Sequence, residues 1–260
     1  MRLATWNVNS IRARSERVID WLARTDTDVL AMQEIKCRPD QFPRQAFEDA
    51  GYEVAAHGLN QWNGVAIASR VGLEAVTTHF DGQPGFAKEG DPVVEARAMG
   101  ATCGGVRVWS VYVPNGRGLD DPHYAYKLEF LGNLRDAARA WAAEPTLIVG
   151  DYNVAPLPTD IWDEADAEAA THVTAEARAA FHAFEAAGYE ELSRRFLPAE
   201  RTYTFWDYKQ LRFPRGEGMR IDFAYASPPA SARASAVVID RDERKGKGAS
   251  DHVPVIVDLG

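Results

Sequence analysis

The sequence predicts an α/β protein, α+β in the stricter sense, with mixed β-sheets packed face to face and helices outside. Three observations lead there. Roughly ten strand-like runs stand against three or four helical ones. Gly104-Gly105 joins two of the runs as a two-residue hairpin loop, because both glycines accept positive φ. Helical periods separate other strands, so crossovers coexist with hairpins, which excludes a simple parallel doubly wound sheet.

The elements follow in order. Arg2–Trp6 is the first strand, and Ser15 is placed to cap a helix whose apolar side is Val18, Ile19 and Leu22. Asp28–Gln33, Val65–Ser69, Leu73–Thr78, Val93–Thr102 and Val106–Val113 are further strands. Leu128, Leu131, Leu134 and Ala138 set a helical period through 124–142, closed by Pro145. Thr146–Val149 is a short buried strand and Val173–Ala187 a helix. Strands near Tyr203–Trp206, Ile221–Ala226, Val237–Asp240 and Val253–Leu259 complete the chain.

Composition sets the outer bounds. The 260 residues are 46% hydrophobic and 26% charged, with 20 Gly and 14 Pro, which excludes collagen-like, coiled-coil and disordered classes. Neither a linker nor a repeat interrupts the chain, so residues 1–260 are read as one domain. No apolar run of ~18 residues is present and polar residues come early, so neither a membrane span nor a signal peptide is expected. Cys37 and Cys103 are too few for a disulfide framework and have no zinc-like spacing, which points to a reduced, cytoplasmic protein. The formal net charge is −9, so any nucleic-acid role needs a local basic patch.

Chemistry concentrates where strands end. The first ends Trp6-Asn7-Val8-Asn9, the second Gln33-Glu34-Ile35-Lys36, the 146–149 strand Gly150-Asp151-Tyr152-Asn153, and the last turn reads Ser250-Asp251-His252. Loops at one edge of a rigid sheet can share a pocket. Glu34, Asp151 and Asp251 offer hard oxygen ligands suited to Mg²⁺. Asn7 and Asn153 could bind phosphate oxygens, and His252 could act on developing negative charge. Singly, each is more often a turn cap or a structural residue, and His57, His79, His123, His172 and His182 are read that way.

Taken as an ordered set, these segments resemble the exonuclease III family (AP endonucleases) of the endonuclease/exonuclease/phosphatase superfamily. The match runs from Thr5-Trp6-Asn7-Val8 to Ser250-Asp251-His252, through Gln33-Glu34-Ile35-Lys36, Tyr112-Val113-Pro114-Asn115, Gly150-Asp151-Tyr152-Asn153-Val154 and Arg220-Ile221-Asp222-Phe223. The resemblance implies a DNase I-like, four-layer α/β/β/α sandwich of two mixed sheets with its site at one edge. It implies a Mg²⁺ cofactor, for which Mn²⁺ can substitute, held by Asn7, Glu34, Asp151, Asn153, Asp251 and His252. Tyr112, Asp151, Asn153, Asp222 and His252 would carry catalysis. Asp151 would orient or deprotonate water, Asp222 would fix the His252 tautomer, and His252 would bind a phosphate oxygen. Tyr112 would lie near the phosphate, and its place in Val111-Tyr112-Val113-Pro114-Asn115 looks like the DNA-repair branch.

Three segments support DNA binding: Ser10–Arg14 with Arg12, Asn115–Leu119 with Asn115 and Arg117, and the basic-aromatic stretch Tyr203–Arg220. From that stretch Trp206, Arg212 and Arg215 are expected at the DNA. By resemblance, Phe205, Met219 and Ile221 line a pocket for an extruded abasic sugar, with Met219 where relatives often have tryptophan. Trp62 resembles a groove-side aromatic. The reading is a DNA-repair nuclease, a cytoplasmic, nucleoid-associated monomer. It would incise 5′ to abasic sites, trim blocked 3′ ends and degrade duplex DNA 3′ to 5′. The alternatives are a phosphoesterase of the same fold acting on a non-DNA substrate, and a non-catalytic nucleic-acid-binding regulator.

Overall fold

Twelve strands form among the described residues, 1–197 and 201–260 of this computed structural model. They are β1 (Arg2–Asn7), β2 (Val29–Gln33), β3 (Glu53–His57), β4 (Val65–Ser69), β5 (Glu74–Thr77), β6 (Ala98–Cys103), β7 (Val106–Tyr112), β8 (Thr146–Asp151), β9 (Glu190–Glu191), β10 (Asp222–Ala226), β11 (Ala234–Ile239) and β12 (Val255–Leu259). Helices α1 (Ile11–Thr25), α2 (Arg44–Asp49), α3 (Pro122–Trp141), α4 (Ala175–Ala186), α5 (Leu192–Phe196), α6 (Arg212–Arg215) and α7 (Pro228–Ser231) lie between them.

The strands make two six-stranded mixed sheets, ordered β11-β12-β1-β2-β4-β3 and β5-β6-β7-β8-β10-β9. Only β1·β2 and β7·β8 run parallel, and α1 and α3 are the crossovers that parallel pairing requires. Period-2 alternation sorts each strand between two cores. Leu3, Val29, Ala31 and Ile67 meet Val106, Val108, Leu147 and Val149 between the sheets. Ala4, Leu30 and Met32 point the other way, onto Val18, Trp21 and Leu22 of α1. Ile148, Phe223 and Tyr225 pack under Phe130 and Leu134 of α3 and Phe181 and Phe184 of α4. The result is the expected four-layer α/β/β/α sandwich.

Several elements differ from the sequence reading. Helix α1 starts at Ile11, so Ser15 lies inside it; the N–H groups of Ser10 and Ile11 donate to Glu34 and Ile35 carbonyls at 2.7 and 3.2 Å, fastening the helix start to the end of β2. The run 93–102 is strand only from Ala98, because the chain bends at residues 95–97, where the Arg97 N–H turns back to the Glu95 carbonyl. Tyr203–Trp206 is not a strand; Phe205 alone forms isolated bridges to Met219 and His252. Strand β3, with its low-propensity Glu53-Val54-Ala55-Ala56, and the six-residue α2 carry too little periodic signal to be seen beforehand.

Candidate active site

The site is the polar end of the layer between the sheets. On β1 the inward face reads Leu3, Thr5, Asn7; on β2 Val29, Ala31, Gln33; on β7 Val108, Ser110, Tyr112; on β8 Leu147, Val149, Asp151. Antiparallel β10 enters from the opposite direction as Ala226, Ala224, Asp222. Each strand thus turns from apolar to polar at the same edge. A buried bridge marks the transition: the Gln33 amide donates to Thr5 Oγ1 at 3.0 Å and to Ser110 Oγ at 2.9 Å. Beyond it Glu34, with φ 51, leaves the strand direction and turns its carboxylate toward Asn7.

Asn7 Nδ2 donates to Glu34 Oε1 at 2.8 Å and to Asp151 Oδ2 at 3.0 Å, using both amide hydrogens. Its Oδ1 accepts from the Asn9 N–H at 3.1 Å, so Asn7 holds the two carboxylates rather than offering an oxygen beside them. Asp151 Oδ1 accepts the Asn153 N–H at 2.9 Å. His252 Nδ1 lies 2.8 Å from Asp222 Oδ2, and its Nε2 lies 3.8 Å from Asp151 Oδ2. The Phe205 ring packs against the imidazole at 4.9 Å between centroids.

Electrostatics divide the roles. Burial works against a charged His252, but Asp222 and Asp151 outweigh it and hold the imidazolium up to about 10. Burial, with Asp222 and Glu34 nearby, holds Asp151 well above the usual carboxylate range despite the opposing His252. Glu34 goes the other way: burial opposes its ionisation, yet Lys36, whose Nζ lies 2.8 Å from Oε2, and Asn7 keep it below that range. Burial and the Glu34 carboxylate hold the Tyr112 phenol firmly protonated. Glu34, Asp151 and His252 bring potential ligand atoms within 4.8 Å of one another. The Glu34 and Asp151 carboxylates are the hard-oxygen donors of that group, the type suited to a divalent cation.

Beside this cluster opens a cavity of about 260 Å³ whose apolar walls are Trp162, Phe205, Met219 and Ile221. Arg212 and Asp166 also line it, and they are ion-paired to each other. The three residues expected at a sugar pocket therefore share one cavity with the polar cluster. Gly218, next to Met219, has no room for a Cβ, which would meet the Phe205 carbonyl at 2.8 Å.

The structure redirects several expected site residues. Asn153 spends its carboxamide elsewhere: Nδ2 donates to the Val113 carbonyl at 2.9 Å and Oδ1 lies 3.2 Å from His172 Nε2. Asp251 falls outside the three-residue cluster and accepts from Asn9 Nδ2 at 3.0 Å. Trp206 is 1% exposed and packs on Tyr203 and Phe213, so it is core rather than a DNA contact. Arg212 is buried in its pair with Asp166, and exposed Arg215 is tied to Glu217 at 2.5 Å. Arg12 and Arg117 are exposed, as expected of phosphate contacts, and the Arg117 guanidinium lies over Phe86 at 5.5 Å. Asn115 lines the cavity, and its Oδ1 accepts the Arg117 N–H at 2.8 Å. Trp62 is 72% exposed. His172 was missed: it is buried, lines the cavity and holds Asn153, yet its sequence neighbours carry no motif.

The sequence profile of the Endonuclease/Exonuclease/phosphatase family matches residues 4–252. The chain belongs to that family. Among its relatives, exodeoxyribonuclease III of Haemophilus influenzae is 26% identical over 265 aligned positions, covering 98% of each protein. An AP endonuclease from Archaeoglobus fulgidus superposes with a TM-score of 0.91 at 34% identity, over 100% of this chain and 99% of that one. The 3′ phosphatase NExo from Neisseria, solved with a product DNA hairpin, gives 0.91 at 32% identity over the same shares. The family's span begins before Asn7 and ends on His252, so it encloses every residue of the polar cluster.

Proposed function

We propose that the protein is a Mg²⁺-dependent DNA-repair phosphodiesterase that incises duplex DNA 5′ to abasic sites, trims blocked 3′ ends and removes nucleotides 3′ to 5′. The observation that carries this reading is one juxtaposition. A carboxylate pair and a buried imidazolium adjoin an apolar-walled cavity of about 260 Å³, a volume suited to a base-free sugar. Relatives named as an exodeoxyribonuclease, an AP endonuclease and a 3′ phosphatase support the same chemistry.

Glu34 and Asp151 would hold Mg²⁺, or Mn²⁺ in its place, and the cation would neutralise phosphate charge and favour ionised water. Asp151, with Oδ1 fixed by the Asn153 N–H, would orient the attacking water and accept its proton. His252, fixed through Nδ1 by Asp222, presents a protonated Nε2 to a non-bridging phosphate oxygen, where negative charge grows. The protonated Tyr112 phenol is a second donor at the same wall. Arg12 and Arg117 reach the flanking phosphates. The protein would work as a monomer in the reducing cytoplasm, at the nucleoid; both its cysteines are free and buried.

The test is one duplex with a central abasic analogue and a second ending in a 3′-phosphate, each incubated with Mg²⁺, with Mn²⁺ or with EDTA. Cleavage of both with either metal and none in EDTA is the expected result. Undiminished turnover in EDTA, or turnover of small phosphoesters but not DNA, would overturn the proposal.

A further inference from the structure

Helix α3 presents His123, Tyr126, Phe130, Leu131, Leu134 and Ala138 to the core, and Lys127 lies on that same face with no exposed surface. A lysine so placed loses its hydration, so its N–H groups must find acceptors within the protein. No carboxylate lies within ion-pair distance of it among the described residues. Its contacts are three main-chain carbonyls instead: Asn153 and Thr171, each at 2.6 Å, and Asn115 at 3.4 Å. All three can only accept, so the nitrogen must donate to each of them, which the three hydrogens of an ammonium can do.

Those carbonyls belong to three separate segments that all meet the active-site cavity: the turn after β7, the turn after β8 and the helical turn ending at His172. Asn153 has φ 50, a left-handed conformation that turns its carbonyl away from any strand partner. Its N–H donates to Asp151 Oδ1, 2.9 Å away. Its carboxamide reaches His172, which follows Thr171 directly. Thr171 Oγ1 closes the set by donating to the Asn115 carbonyl at 2.8 Å.

We propose that Lys127 is a positioning residue for the reaction: its ammonium pins the Asn115, Asn153 and Thr171 turns to one point, and through the Asn153 N–H it sets the Asp151 carboxylate. It touches neither DNA nor reacting atoms. Loss of its donors leaves the buried Asn153 and Thr171 carbonyls unpaired and the Asn115 carbonyl with Thr171 Oγ1 alone, so the turns separate while both sheets remain. This assignment rests on the phosphodiesterase reading only for its kinetic consequence.

The first measurement needs no turnover: amide hydrogen exchange of the metal-free wild type and Lys127→Met. Exchange should accelerate together in residues 113–117, 152–155 and 170–173, with β1, β2 and β7 unchanged. Unchanged exchange in any of the three segments overturns the proposal whether or not the protein cleaves DNA. The second measurement is kinetic. Lys127→Met should lose about tenfold or more in kcat, with a smaller change in KM for DNA, because the Asp151 carboxylate acts in the reaction step whereas Arg117 is the one proposed phosphate contact in a loosened segment. Leu134→Ala, a core truncation on the same helix, gives the effect of instability alone, and an equal kcat loss there overturns the proposal. If Lys127→Met does not fold, Lys127→Arg decides: its planar donors cannot repeat the three contacts, so kcat should fall about threefold with a native melting temperature. Native kcat in that variant overturns the proposal.

Discussion

His252 shows how a single residue joins stability to reactivity. Its pKa of about 10 lies above the ordinary value of 6.5, so the folded protein holds a proton that the unfolded chain releases between those limits. Stabilisation from the His252–Asp222 pair is therefore complete below the lower value and lost as pH rises through the upper one. Relative to His252→Gln, the wild type should melt distinctly higher at about pH 6, with the gap narrowing toward about pH 9.5. Thermal melts of both proteins in EDTA across that range provide the check; a constant gap would mean a neutral imidazole. On the proposed mechanism an imidazole that is charged at neutral pH leaves proton abstraction to Asp151. The two groups face each other at 3.8 Å, and only the carboxylate has a free site for a proton.

At the scale of the element, the β7·β8 pair places Tyr112 beside Asp151 in parallel register. That closeness depends on Gly150, whose φ is 151 and whose added Cβ would meet the Val111 carbonyl oxygen at 1.9 Å. Gly150→Ala should therefore cost about 3 kcal/mol or more and shift the neighbouring Asp151 out of its register with Tyr112. Urea unfolding of the variant measures this, and a change under about 1 kcal/mol would show that the strands can part without penalty. Much of this architecture was legible beforehand, because period-2 apolar runs on β1, β2, β7 and β8 end in polar residues at the same edge. The Gly104-Gly105 hairpin was legible as well; residues Cys103 and Val106 pair across it. What escaped had a physical reason. Trp206, Arg212 and Arg220 sit in a basic-aromatic stretch that looks solvent-facing in one dimension, yet Arg220 is fully buried near Asp160, with Oδ1 3.5 Å from its Nε. Long-range partners such as Asp160 and Asp166 leave no local trace, and neither does the contact between His172 and Asn153.

Across the whole molecule, a net charge of −9 must coexist with attraction to a polyanion. Arg12 and Arg117, exposed at the ends of segments that lead into the site, can release counterions, whereas Arg212 is neutralised in place by Asp166. The slope of log affinity against log salt should therefore become shallower by about 2 in Arg12→Ala/Arg117→Ala and stay unchanged in Arg212→Ala. Binding titrations of duplex DNA over a salt series decide between the two, and an unaffected slope in the double variant would place the phosphates elsewhere. The pairing of β12 with β1 has a consequence for biosynthesis. β1 lies in the interior of its sheet, between β2 and β12, so its second edge stays open until residues 255–259 arrive beside it. Asn7 comes from that first-made strand and His252 from the turn just ahead of the late one, where its carbonyl accepts from the Trp6 indole at 3.1 Å. A chain still on the ribosome thus carries Glu34 and Asp151 but not the imidazolium. On the proposed mechanism, cleavage can begin only once synthesis has passed residue 252.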